Sequence, residues 1–199
     1  MWRSTLIIAA FSYGAYHWWL DRPLDTPPGV LAPDDPVQGE LEKPTQFFKN
    51  GVQLKARASF EISARVLAKK RYHFDPLATV SPIDLALGWG RMSDLTVLDQ
   101  IDIHQGQRFY FWSTERFPIP RKEIQEHSAN MHMIPADSSV EHRLNAARHG
   151  QVIALRGYLV DVAWPRGAPA RTSLRRDDTG PGACEIVWVE KVALKSIYR

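Results

Sequence analysis

The chain has 199 residues, of which 44% are hydrophobic, 24% charged and 11% aromatic, with a formal net charge of +3. This length and mixture suit one folded domain with accessory segments and exclude a disordered polar chain, a low-complexity fibre and a multi-span membrane protein. A single cysteine, Cys184, excludes an internal disulfide framework, a cysteine-rich zinc module and a CxxC redox pair.

Residues 4–20 read STLIIAAFSYGAYHWWL, without a formal charge, between Arg3 and the polar flank Asp21-Arg22-Pro23. Such a run is expected to contact a lipid bilayer as an N-terminal transmembrane helix, with Trp2, Trp18 and Trp19 in the interfaces. Arg3 before it and acid after it favour an N-inside orientation, which would leave the C-terminal domain in the periplasm of a bacterial inner-membrane protein. The run ends in bulky aromatics and lacks an A-x-A cleavage pattern, so residues 1–20 are read as an uncleaved anchor, with a cleaved signal as the alternative.

Residues 21–46 form an expected Pro-rich acidic tether. Pro23, Pro27, Pro28, Pro33, Pro36 and Pro44 favour extended backbone that would space a domain from the bilayer. Six acids against Arg22 and Lys43 give the tether −4, and removing it and Arg3 leaves residues 47–199 with 22 basic and 16 acidic side chains, or +6. A basic domain of this kind faces either anionic headgroups or an acidic polymer, or simply carries an ordinary solvated surface.

Within 47–199, Ala58 to Val66 alternates apolar and polar and predicts a strand. Ser81-Pro82-Ile83-Asp84 has the form of a helix cap and predicts a short helix over 82–87, stopped by Gly88; Ser93 caps another over 94–100. Ile101 to Gln105 and Arg108 to Trp112 predict two strands about Gly106. Arg121 to Glu126 reads as helix, 127–135 as an irregular loop, and Val140, Leu144 and Ala147 mark a helix ended by Gly150. Val152 to Val162 predicts a long strand with a bulge at Gly157, and Thr172 to Arg175 with Ala183 to Val192 a final hairpin. Together these predict an α+β domain: a small curled antiparallel sheet or partly closed β-barrel, OB-like or SH3-like, with short inserted helices.

Three constellations could carry chemistry. His127, Ser128, Asn130 and His132 form a dense polar stretch suited either to binding or to satisfying buried backbone. The two histidines are five apart and cannot share a helix face, which disfavours a helical metal pair and leaves only a loop that joins them with an acid from elsewhere; no cofactor is expected. Cys184, between Asp177 and a glycine-rich loop on one side and Glu185 on the other, is either a buried small residue or a nucleophile activated by His127 or His132. Trp89, Arg91 and Asp94, with aromatics over 109–112 and basic residues at Arg108, Arg116, Arg121 and Lys122, suit either a core or a face for peptide or glycan; nucleic acid is not expected for an exported chain.

The segments SPIDLALGWGRMSD (81–94), HSANMHMIPA (127–136) and DTGPGACEIVWVE (178–190), behind a short anchor, resemble a family of uncharacterised proteobacterial membrane-anchored proteins. The resemblance implies a bacterial cell-envelope setting and assigns no catalytic residue. The leading expectation is a membrane-anchored binding or scaffolding module. The rival is a thiol-dependent envelope hydrolase or transferase using Cys184.

Overall fold

The computed structural model describes residues 22–24, 26–175 and 183–195, together with Gly14. The strands are β1 (Val37–Gly39), β2 (Gln46–Lys49), β3 (Val52–Arg71), β4 (Ile83–Gly88), β5 (Asp102–Gly106), β6 (Phe109–Ser113), β7 (Ser128–Pro135), β8 (Val152–Ala163) and β9 (Glu185–Leu194). The helices are α1 (Leu95–Leu98), α2 (Arg121–Glu126) and α3 (Ser138–Ala146). Among the described residues no helix is long and apolar enough to cross a membrane; the expected anchor over 4–20 lies, but for Gly14, outside them.

The expected strand at Ala58 to Val66 is the middle of β3, whose 20 residues would run about 66 Å if straight, against a radius of gyration of about 15 Å for a domain this size. It must therefore curl. Extra residues at Ala56/Ala58 and Val66/Ala68 bend it, so that one end pairs with β8 and the other with β4. From β4 the ladder continues antiparallel to β7, parallel to β9, antiparallel to β8 and so back to β3. The molecule is thus mostly sheet, curled on itself, with few helices. Phe60, Ile62, Leu85, Met131, Leu155 and Val187 point inward, and α3 closes one end with Val140 and Leu144.

Three local expectations are corrected. Residues 82–87 are mainly strand, not helix: Ile83, Leu85 and Leu87 alternate into the core and β3 and β7 pair on either side, which outweighs a capping signal on so short a segment. The stretch 127–135 is not irregular but is largely β7, alternating Ser128, Asn130 and His132 on one face with Ala129, Met131 and Met133 on the other. Residues 172–175 form no strand with β9; Ser173 and Thr172 only tie its start, through Ser173 N–H to Cys184 O and Ile186 N–H to Thr172 Oγ1.

The bulge expected at Gly157 falls instead on the partner strand: Arg156 pairs with Lys191 and Gly157 with Val189, so the extra residue is Glu190 of β9. Residues 22–39 lie along the folded body instead of standing off it. Leu24 N–H bonds His149 O, Gly29 N–H bonds Asp94 Oδ1, Ala32 N–H bonds Ser93 Oγ, and β1 pairs with β3. Beneath them the buried Arg65 donates to Ser93 O at 3.1 Å and Thr26 Oγ1 at 2.7 Å.

A Cβ at Gly157 would sit 1.8 Å from the Trp188 carbonyl oxygen. Gly157→Ala is expected to cost about 2–4 kcal/mol and to lower the thermal midpoint by ~5–15 °C. Partial desolvation first, on a residue that stays exposed at one face, and the Arg65 charge second, push the His149 imidazole below its usual value. The folded state therefore favours neutral His149: its contribution is complete above pH of about 6.5 and is lost as pH falls toward the lowered value. Urea unfolding at pH 7.5 and 5.5 should show this loss, and His149→Gln should flatten it.

Candidate ligand-binding site

The insertion between β4 and β7 carries a hairpin, β5–β6, that lies over the outer face of those two strands. Its two-residue turn places Gln107 and Arg108 at φ of 50° and 70°, left-handed values that cost a residue with a side chain roughly 1–2 kcal/mol each. Arg108 holds the strained turn in place. Its Nη2 and Nε grip Asp75 at 2.8 and 3.2 Å, and Nη1 reaches Asp84 Oδ1 at 2.7 Å and Ser81 O at 3.1 Å. Its guanidinium lies 3.9 Å from the centre of the Tyr72 ring, whose hydroxyl accepts the Arg108 N–H. Its carbonyl accepts from Asn130 Nδ2 at 2.9 Å and lies 3.8 Å from the Cys184 thiol.

Asp84 is fully buried and also lies 2.9 Å from His132 Nδ1, because the two residues are cross-strand partners on β4 and β7. Burial raises the Asp75 carboxyl, but the hydrogen bonds and charge of Arg108, with the Ala78 N–H, outweigh it and hold that carboxyl below its usual value. Asn130 is further fixed by Gln105 Nε2 at 2.6 Å, and Tyr110 Oη meets Ser128 Oγ at 2.9 Å. Burial pushes the Tyr110 phenol up, only partly offset by Ser128, and Glu185 and Cys184 push the same way.

Between the hairpin, α2 and the start of β9 lies a cavity of about 530 Å³. Its walls are aromatic, with Phe109, Phe111, Trp112 and Phe117 prominent; its floor is Ser128, Asn130, Cys184 and Glu185. Arg121 stands at the side, its guanidinium 6.0 Å from the Trp112 ring centre. The volume and the mix of apolar wall and few polar groups match a small-ligand or peptide-side-chain site.

The structure thus brings together residues from all three constellations singled out from sequence: Ser128 and Asn130, Cys184 and Glu185, and the aromatics over 109–112 with Arg121 and buried Trp89. His132 lies on the same face of β7 but turns to Asp84. His127 lies apart, its Nδ1 3.0 Å from Glu123 O and its Nε2 3.7 Å from Asp35 Oδ1. Arg91 pairs with Glu123, Asp94 caps α1 through Thr96 N–H, and Asp177 lies outside the described residues. Among the described residues no three His, Cys, Asp or Glu side chains are placed to hold a metal ion. Asp75, Asp84, Tyr72 and Phe117 were not foreseen, and Arg108 was foreseen as the start of a strand and as one of the basic residues beside the 109–112 aromatics, not as a latch. The available signal was the turn residue itself, a charged side chain beside Gly106. No protein-family model, curated protein or solved structure matches the chain.

The two acids differ in setting: the Asp84 side chain is fully buried, whereas that of Asp75 is 34% exposed. Asp84→Ala leaves Arg108 and His132 without their buried partner and is expected to cost about 3–5 kcal/mol, against about 1 kcal/mol for Asp75→Ala, by urea unfolding.

Proposed function

We propose that this chain is a membrane-anchored binding module of the bacterial cell envelope, held by residues 4–20 with its domain in the periplasm, and that the aromatic cavity beside β6 is its ligand site. The cavity carries this assignment: aromatic walls, a polar floor in which Ser128 and Asn130 are fixed by hydrogen bonds to the hairpin and α2, and a flanking cation recognise a ligand without supplying a reaction. Binding is favoured over thiol-dependent hydrolysis because neither His127 nor His132 lines the cavity with Cys184, and each has a ring nitrogen engaged elsewhere.

We further infer that the sheet is of the OB type. The order β3-β4-β7-β9-β8 returning to β3, the parallel β7–β9 pair, and α3 between β7 and β8 support this. The second and third strands of that architecture commonly present a binding face for oligonucleotides or oligosaccharides. Here the corresponding face of β4 and β7 is covered by the chain's own hairpin, latched through Arg108, and the slot beside the hairpin remains.

Chemical-shift mapping with aromatic carboxylates, apolar peptides and short oligosaccharides tests the site. Ligands should cluster on Trp112, Phe117 and Cys184, and Trp112→Ala should weaken them at least tenfold with the thermal midpoint kept. Ligands mapping to another surface, or Cys184-dependent hydrolysis of activated esters, would overturn the assignment. A phosphatase fused after Arg199 should be active in the periplasm; a fluorescent cytoplasmic reporter there would refute the topology.

A further inference from the structure

The hairpin turn dictates which backbone groups of β6 are spent. In a two-residue hairpin the pair flanking the turn, Gly106 and Phe109, exchanges hydrogen bonds, and alternation makes His104 with Phe111 and Asp102 with Ser113 the other bonded pairs. Tyr110 and Trp112 therefore point their N–H and C=O groups away from β5. Among the described residues no neighbouring strand, turn or side chain bonds these groups.

That free edge is what borders the cavity. Residues 109–114 line it consecutively, whereas side chains on one face of a strand would contribute only every second residue. Edge strands are normally guarded by charge or proline. Phe109–Ser113 carries neither. Instead Phe111 and Phe117, 47% and 52% exposed, flank the edge. Across the slot, residues 128–130 of β7 precede its pairing with β9, which begins at Met131, so among the described residues the facing wall has no strand partner on that side.

Given that the cavity is a ligand site, we propose that its occupant is an extended peptide that adds to the edge of β6 as a third strand, with apolar side chains against Trp112 and Phe117 and a carboxylate toward Arg121. Backbone pairing to Tyr110 and Trp112 supplies up to one donor and one acceptor bond each, and the aromatic pockets on alternate residues supply selectivity. The carboxylate follows from charge: Arg121 is exposed, sits over the Trp112 ring and makes no ion pair with a described acid. A glycan would stack on the same rings but would leave the strand edge unmet.

The test uses the full chain in detergent micelles with the hexapeptide Ac-EVFVEV-NH2, its charge-reversed form Ac-KVFVKV-NH2, two versions N-methylated on odd or on even residues, and chitotriose. Only every second peptide residue can face β6, so one N-methyl version should lose binding at least tenfold and the other should keep it. The parent should slow amide exchange at Tyr110 and Trp112, and charge reversal should weaken it about tenfold unless Arg121→Glu is made as well. Equal binding of parent and both N-methyl versions would overturn strand addition while leaving the cavity as a ligand site. Chitotriose shifting Trp112 where no peptide binds would do the same in favour of glycan. Peptides and sugar that all leave Trp112 and Phe117 unshifted would overturn strand addition and the cavity assignment together.

Discussion

Arg108 is the contact on which the arrangement of this domain depends. A hairpin whose turn forces two side-chain-bearing residues into left-handed backbone does not hold itself against a sheet, and roughly 1–2 kcal/mol per residue must be offset elsewhere. One guanidinium does so. Hydrogen bonds to charged partners contribute about 1.5–3 kcal/mol each, and Arg108 makes them to two carboxylates while its backbone bonds Tyr72 and Asn130. The loop after β3, the hairpin, β4 and β7 therefore meet at a single residue.

The consequences run outward from there. With the hairpin latched, the polar face of β4 and β7 becomes interior, which is why Asp84 and His132 are buried against each other and Asn130 against Gln105 and the Arg108 carbonyl, instead of forming an open reactive cluster. The latch also fixes how far β6 stands from β7, and so creates the aromatic slot with Cys184 and Glu185 on its floor. Where β3 meets the end of β4 at Gly88, Arg65 does comparable work without a direct carboxylate partner, drawing residues 26–32 onto the body through Thr26 and Ser93.

What could be read from sequence was what local pattern dictates. The alternation of Ala58 to Val66, the hairpin about Gly106 and the periodicity of α3 all depend on near neighbours, and all are present; Gly157 marks the ladder irregularity, but the extra residue is Glu190 on β9. β4 was misread because Ser81-Pro82-Ile83-Asp84 mimics a helix start; the alternation of Ile83, Leu85 and Leu87 was the stronger signal, and pairing on both edges enforces it. β7 was misread because Ser128, Asn130 and His132 look like loop residues until something covers them, and the cover comes from a hairpin inserted before them. The prolines of 23–36 imply a segment without helical periodicity, but that Asp94 and Ser93 would receive it is a contact across more than sixty residues.

Amide exchange of a variant with an ideal turn probes the latch most directly. Replacing Gln107 by Asn and Arg108 by Gly supplies the residues a type I′ turn prefers, removing the strain and the guanidinium together. If Arg108 holds the hairpin, residues 102–113 should exchange at least tenfold faster in this variant while β3 and β8 keep their protection. If the hairpin exchanges as slowly as in the parent, or more slowly, the turn and not the buried ion pairs sets its position, and Arg108 is not the keystone of the fold.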